Sequence, residues 1–154
     1  GKIVVYEGLM KLVSSDDELA VVIGHEVAHA VARHSNERIS QEMLAQYGAQ
    51  ILSQSLSQKS VAIQNMANKV YGIGAQYGVV LPFSRKHESE ADYMGLIFMT
   101  MAGYNPDVAI NFWKKMSAGG GAQVPEIMST HPSDARRISD IQKALPEIKA
   151  KYKK

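Results

Sequence analysis

The stretch "LAVVIGHEVAHAVARH", from Leu19 to His34, sets His25, Glu26 and His29 within a run of apolar and small residues. Such a run reads as a packed helix, and an ionisable residue on a buried helical face is costly unless something satisfies it. His25 and His29 are spaced i, i+4, so on a helix they lie about 40° apart around the axis and one turn apart along it. Two imidazoles placed in this way reach one ion from a rigid support. Glu26 lies about 100° round from His25, where it cannot share a ligand position but can lean over a water beside the ion. This is the H-E-x-x-H pattern, two zinc ligands with a general base between them. The bland alternative, two satisfied core histidines and an unrelated surface glutamate, sits poorly with Val27, Ala28, Ala30 and Ala32 around the triplet.

A catalytic zinc takes a third protein ligand and keeps a position for water. His34 would suit the longer H-E-x-x-H-x-x-G-x-x-H pattern, but that pattern needs Gly at 32 and His at 35, where this chain has Ala32 and Ser35. His34 therefore reads as a plain helix residue. The other source is "HESEAD". Glu88 and Asp92 are i, i+4 and face the same way, while Glu90 points elsewhere. One of the two carboxylates can bind the metal while the other accepts from the free ring nitrogen of a ligand histidine. Gly95, on the same face, lets two helices approach closely. Taken alone, "ESEAD" would be a solvated acidic patch.

The rest of the chain narrows the classes. Its 154 residues suffice for one domain, and 45% hydrophobic against 21% charged residues is the composition of a globular protein. The net charge is +2, with Lys and Arg scattered apart from the tail "KAKYKK", so no nucleic-acid footprint is expected. The absence of cysteine removes disulfides, thiol nucleophiles and thiolate zinc sites. No apolar run reaches the roughly 18 residues of a membrane span, and no signal peptide is visible.

"KIVVYEG" (Lys2–Gly8) reads as a strand. Ser15 and Glu18 form a capping box for a helix expected from Asp16 to His34 or beyond. From Ile39 to Phe83 three readings compete: a lid over a site, an ordinary connecting helix pair, and a membrane-facing segment. The connecting pair leads, and the three glycines of "VYGIGAQYGVVLPF" make continuous helix doubtful there. "SRKHESEADYMGLIFMTMAG" is a second strong helix stopped at Gly103. Asn105-Pro106 caps a third through "DVAINFWKKMSA", and a fourth starts near Ser133 and is expected to break or kink at Pro146.

"GHEVAHAVARH", "SRKHESEADYMG", "AGYNP" and "STHPSDARRI", in that order, resemble the M48 family of zinc metallopeptidases over nearly the whole chain, up to Arg137. The resemblance is to a soluble bacterial member of the Oma1/BepA-like branch rather than to the multi-spanning, Ste24-like branch. It implies a mainly α, zincin-like (gluzincin) metallopeptidase domain with a small β element, residues 1–154 forming one catalytic domain. It also implies one Zn²⁺ per chain, protein or peptide substrates, and a location in the bacterial cell envelope, the periplasm. The substrate-pairing strand of that family precedes "GKIVV", so the chain is expected to lack upstream residues.

The family's E-x-x-x-D pattern falls on Glu88 and Asp92. The resemblance thereby makes Glu88 the third zinc ligand and Asp92 a partner of His25, with Glu90 the alternative ligand if the helix is rotated. Its H-P-x-x-x-x-R segment falls on His131 and Arg137, either of which could donate to the oxyanion of the tetrahedral intermediate. His131 has a second reading, as an occupant of zinc's open position in a resting state, and Arg137 a plainer one, as a salt-bridge partner. The expected activity is endoproteolysis in protein quality control, with Glu26 as base and then acid. The rival is a zinc-stabilised, chaperone-like peptide-binding module with an autoinhibited site. Peripheral membrane association through Tyr71–Leu81 is a third reading.

Overall fold

The computed structural model describes residues 3–118 and 135–152. Among them lie helices α1 (Glu7–Met10), α2 (Asp16–Val31), α3 (His34–Ser55), α4 (Val61–Ala75), a π-helical turn (Gln76–Val80), α5 (Leu81–Met101), α6 (Val108–Ala118) and α7 (Ala135–Tyr152). The fold is mainly helical, as expected. The strand over Lys2–Gly8 is not found: residues 3–6 carry no regular structure and Glu7 opens α1. A β-rich segment becomes a strand only through ladder hydrogen bonds to a neighbour, and the described residues contain no strand to pair with it. None of the described helices is long and apolar enough to cross a membrane.

The chain divides into two compact units, one of residues Gly1–Ala32 and Glu88–Lys154, the other of Arg33–His87. The first is built on α2. Ser15 adopts an extended conformation and its hydroxyl accepts from the Glu18 backbone N–H, with Asp16, Asp17 and Glu18 at the positive end of the helix. Half of the expected capping box closes differently, since the Glu18 carboxylate accepts from Ser14 N–H at 2.7 Å rather than from Ser15. Lys115 on α6 donates to the same Glu18 oxygen at 2.6 Å and to the Leu12 carbonyl at 2.7 Å, which ties the start of α2 to α6. Val21, Val22, Leu96, Met99, Phe112, Trp113, Met116, Ile141, Leu145 and Ile148 then form one buried cluster contributed by α2, α5, α6 and α7.

Two glycines set the spacing of this core. A Cβ on Gly24 would stand 2.7 Å from the Gly95 carbonyl oxygen, and one on Gly95 would stand 2.8 Å from the His25 nitrogen. The backbones of α2 and α5 therefore touch, as the position of Gly95 beside Asp92 suggested. Gly103 ends α5 with φ +90°, and Tyr104 N–H closes the end on the Met99 carbonyl at 3.0 Å. Pro146 does not break α7, which runs through it. Ile141, Leu145 and Ile148 on either side are buried, and their packing outweighs the one backbone hydrogen bond that the proline removes.

In the second unit α3 and α4 pack against each other. Tyr71 hydroxyl donates to the Ala45 carbonyl at 3.1 Å, and a Cβ on Gly48 would overlap that hydroxyl. This corresponds to the connecting helix pair. The glycine-rich stretch is helical after all, passing through the π turn before α5. The long first helix expected to reach His34 instead ends at Val31, because Arg33 takes the left-handed conformation (φ 57°). His34 is not a plain helix residue. It is buried and stacks on His87 with ring centroids 4.3 Å apart, and His87 Nε2 lies 3.0 Å from the Glu37 carboxylate.

Candidate metal centre

The first unit gathers His25 and His29 of α2 with Glu88 and Asp92 of α5 at one point. One turn of α2 carries His25 and His29, whose rings meet edge to face with centroids 4.6 Å apart. Their Nε2 atoms are 3.1 Å from each other. The Gly24–Gly95 contact brings α5 close enough for Glu88 to complete a triangle, with Oε2 3.4 Å from His25 Nε2 and Oε1 3.3 Å from His29 Nε2. These three residues form a group able to hold a metal ion.

The dimensions can be tested against zinc. Ligands about 2.0–2.1 Å from a tetrahedral Zn²⁺ stand about 3.3–3.4 Å from one another. The observed separations, 3.1 to 3.4 Å, match that edge length closely. Two imidazoles and one carboxylate are also the donor set of a hydrolytic zinc site rather than of an all-oxygen calcium or magnesium site. The residues present fit the ion.

Around the triangle sits a buried electrostatic frame. Asp92, one turn beyond Glu88 on α5, places Oδ1 3.0 Å from His25 Nδ1. With the Nδ1 proton directed at Asp92, the Nε2 lone pair of His25 faces His29 and Glu88. Arg137 of α7 grips both Asp92 oxygens, Nε to Oδ2 at 2.7 Å and Nη2 to Oδ1 at 2.7 Å. Its Nη1 lies 3.0 Å from Glu88 Oε2. Its guanidinium also lies over the Trp113 ring, 4.5 Å from the centroid, and the same ring meets His25 edge-on at 5.6 Å. His25, Glu88, Asp92 and Arg137 are all buried, at 1%, 6%, 6% and 4% exposure. Charges so deep are tolerable only because each is paired, and His25, Asp92 and Arg137 are hydrogen-bonded to one another as well.

Burial works against a charge on His25, but the Asp92 and Glu88 carboxylates outweigh it and hold its pKa above the ordinary imidazole value. Burial likewise penalises the Asp92 carboxylate, and hydrogen bonds from Arg137 and His25 outweigh that penalty and hold its pKa below the usual carboxylate range. A group that must be deprotonated to bind metal therefore carries a proton more readily when no ion is bound.

The structure brings together His25, His29, Glu88, Asp92 and Arg137. Glu26 is half-buried on α2 between the two histidines, and Glu90 is exposed. His131 lies outside the described residues. Trp113 was missed by sequence reasoning: an aromatic on the apolar face of α6 signals core, and nothing local ties it to His25 or Arg137. The double engagement of Arg137 was missed for the same reason.

Residues 1–145 match the family described as Peptidase family M48. The chain is 37% identical over 153 residues to the mitochondrial metalloendopeptidase OMA1 of Schizosaccharomyces pombe, covering 98% of this chain and 43% of that one. It is 42% identical over 137 residues to the protein of the same name from Arabidopsis thaliana, covering 89% of this chain and 26% of that one. A beta-barrel assembly-enhancing protease from Yersinia pestis is 25% identical over 158 residues, covering 97% of this chain and 32% of its own length. The chain thus spans less than half the length of each of these relatives. No solved structure gives a match. The expectation of a bacterial envelope location is corrected here: relatives at 37% and 42% identity bear mitochondrial names, so likeness to this family does not point to the periplasm.

Proposed function

This chain belongs to peptidase family M48, and on that premise we propose that it is a zinc-dependent endopeptidase acting on proteins or peptides. The observation that carries the reading is the meeting of His25 Nε2, His29 Nε2 and the Glu88 carboxylate, whose Oε2 and Oε1 face the two histidines, at separations of 3.1 to 3.4 Å. In this reading those residues hold one Zn²⁺, the ligand set of a gluzincin, and residues 1–154 make one catalytic domain. The family match, which runs through both compact units, supports the single domain. The relatives' names, metalloendopeptidase and assembly-enhancing protease, support a place in protein quality control.

A Zn²⁺ held there supplies Lewis acidity, polarising a peptide carbonyl and making water more acidic. The protein does the rest. Asp92 accepts from His25 Nδ1–H and fixes the tautomer that turns Nε2 toward the ion. Glu26 takes a proton from the attacking water as its oxygen bonds to the carbonyl carbon. It then delivers that proton to the amine nitrogen as the C–N bond breaks. Arg137 serves by positioning Asp92 and Glu88, since its guanidinium is engaged with both. His131, outside the described residues, is the residue this reading assigns to the oxyanion.

Zinc content and hydrolysis of an unfolded protein, measured in wild type and Glu26→Gln, test this reading. One zinc in each, with hydrolysis reduced by at least about 100-fold in the variant and abolished in wild type by a chelator, is the expected result. An absence of bound zinc in the wild type would overturn the proposal.

A further inference from the structure

Arg137, we infer, sets the coordination number of the metal centre by claiming one oxygen of Glu88, so that this ligand binds through the other oxygen alone. The inference rests on the zinc reading above and concerns how that site is kept open. One guanidinium spans two carboxylates on successive turns of α5. Nε and Nη2 hold both oxygens of Asp92 at 2.7 Å, which fixes the guanidinium plane, and Nη1 then stands 3.0 Å from Glu88 Oε2. The Trp113 ring supports that plane from one side at 4.5 Å. The guanidinium cannot turn away without breaking the Asp92 pair or leaving the indole.

The consequence for Glu88 is chemical. A full positive charge 3.0 Å from Oε2 draws electron density toward it. Oε2 is thereby a poorer donor to a second cation. Both oxygens face the histidines, Oε2 3.4 Å from His25 Nε2 and Oε1 3.3 Å from His29 Nε2, so it is the Arg137 charge beside Oε2 that leaves Oε1 the stronger ligand atom. A carboxylate free to bind through both oxygens would fill the position that a hydrolytic site must leave for water. Lysine cannot replace arginine here, because a single ammonium lacks the planar fork that serves both carboxylates at once.

The test loads the purified protein with Co²⁺ or Zn²⁺ and compares wild type with Arg137→Lys. Zinc-edge X-ray absorption of the wild type should show four near neighbours, and its Co²⁺ form the intense visible bands of a four-coordinate ion. Arg137→Lys should keep the metal with affinity reduced about 10- to 100-fold and show the weaker bands of five coordination. Should that variant not fold, Trp113→Phe, which leaves Glu88, Asp92 and Arg137 in place, takes its part and should shift the spectrum the same way. Five near neighbours in the wild type, or an unchanged spectrum and affinity in a folded variant, would overturn the inference while leaving the zinc reading intact. A wild type that binds neither ion would overturn that reading itself.

Discussion

The alpha carbons of Gly24 and Gly95 carry no side chains, and nothing larger would fit: a Cβ on Gly24 would lie 2.7 Å from the Gly95 carbonyl oxygen. This contact immediately precedes His25 in α2 and follows Asp92 by one turn of α5. It sets how far apart the two halves of the metal centre stand.

Gly24→Ala should therefore destabilise the protein although alanine is the better helix former. The propensity gain is about 0.5–1 kcal/mol, against about 1–3 kcal/mol for overpacking against backbone that cannot give way. A lower midpoint of thermal unfolding, together with weaker zinc binding because Glu88 is pushed from the histidines, is the expected outcome. Calorimetry and a competition titration with a chromophoric chelator would measure both.

Asp92→Asn should weaken zinc binding about 10- to 100-fold without removing a ligand. The amide no longer provides a charged acceptor for His25 Nδ1–H, and it leaves Arg137 with Glu88 as its remaining carboxylate among the contacts described here. The same competition titration applies. Unaltered affinity would show that the negative charge of Asp92 is not what orients His25.

Metal binding should release a proton over an unusually high pH range. The metal-free His25 has a raised pKa, so its stabilising contribution is fully present below the unfolded value of about 6.5 and is lost as pH rises through the folded value. Zinc requires the neutral ring, which reverses the sign: apparent affinity should rise with pH until His25 is deprotonated. Isothermal titration in buffers of different ionisation enthalpy reads the protons released, and a release that does not fall as pH rises would contradict this.

Glu18→Gln should cost at most about 1 kcal/mol near neutral pH, by weakening the start of α2 and its tie to Lys115. Burial opposes the charge on Glu18, but hydrogen bonds from Lys115 and Ser14 outweigh it and lower its pKa. Its contribution is thus present above the unfolded pKa and lost as pH falls through the folded one. Urea melts of the two proteins should differ at pH 7 and converge in acid.

The local features of the fold follow from residue order alone. Four-residue spacings placed His25 with His29 and Glu88 with Asp92, because a helix maps such spacings onto one face whatever surrounds it. Ser15 and Gly103 marked helix ends for the same local reason, a side-chain cap and a backbone angle that glycine adopts without strain. Where the outcome depended on partners distant in the chain, packing settled it. Residues 3–6 have the composition of a strand and no strand beside them among the described residues, and Pro146 has the chemistry of a helix breaker and a buried face that holds the helix across it. The left-handed turn at Arg33 carries no residue signal, since arginine gains nothing from that conformation by itself. The frame of Arg137, Asp92, Glu88 and Trp113 is the clearest case. Its charges attract at any separation, but only folding of α5, α6 and α7 together removes the water that would screen them and brings the groups within hydrogen-bond range.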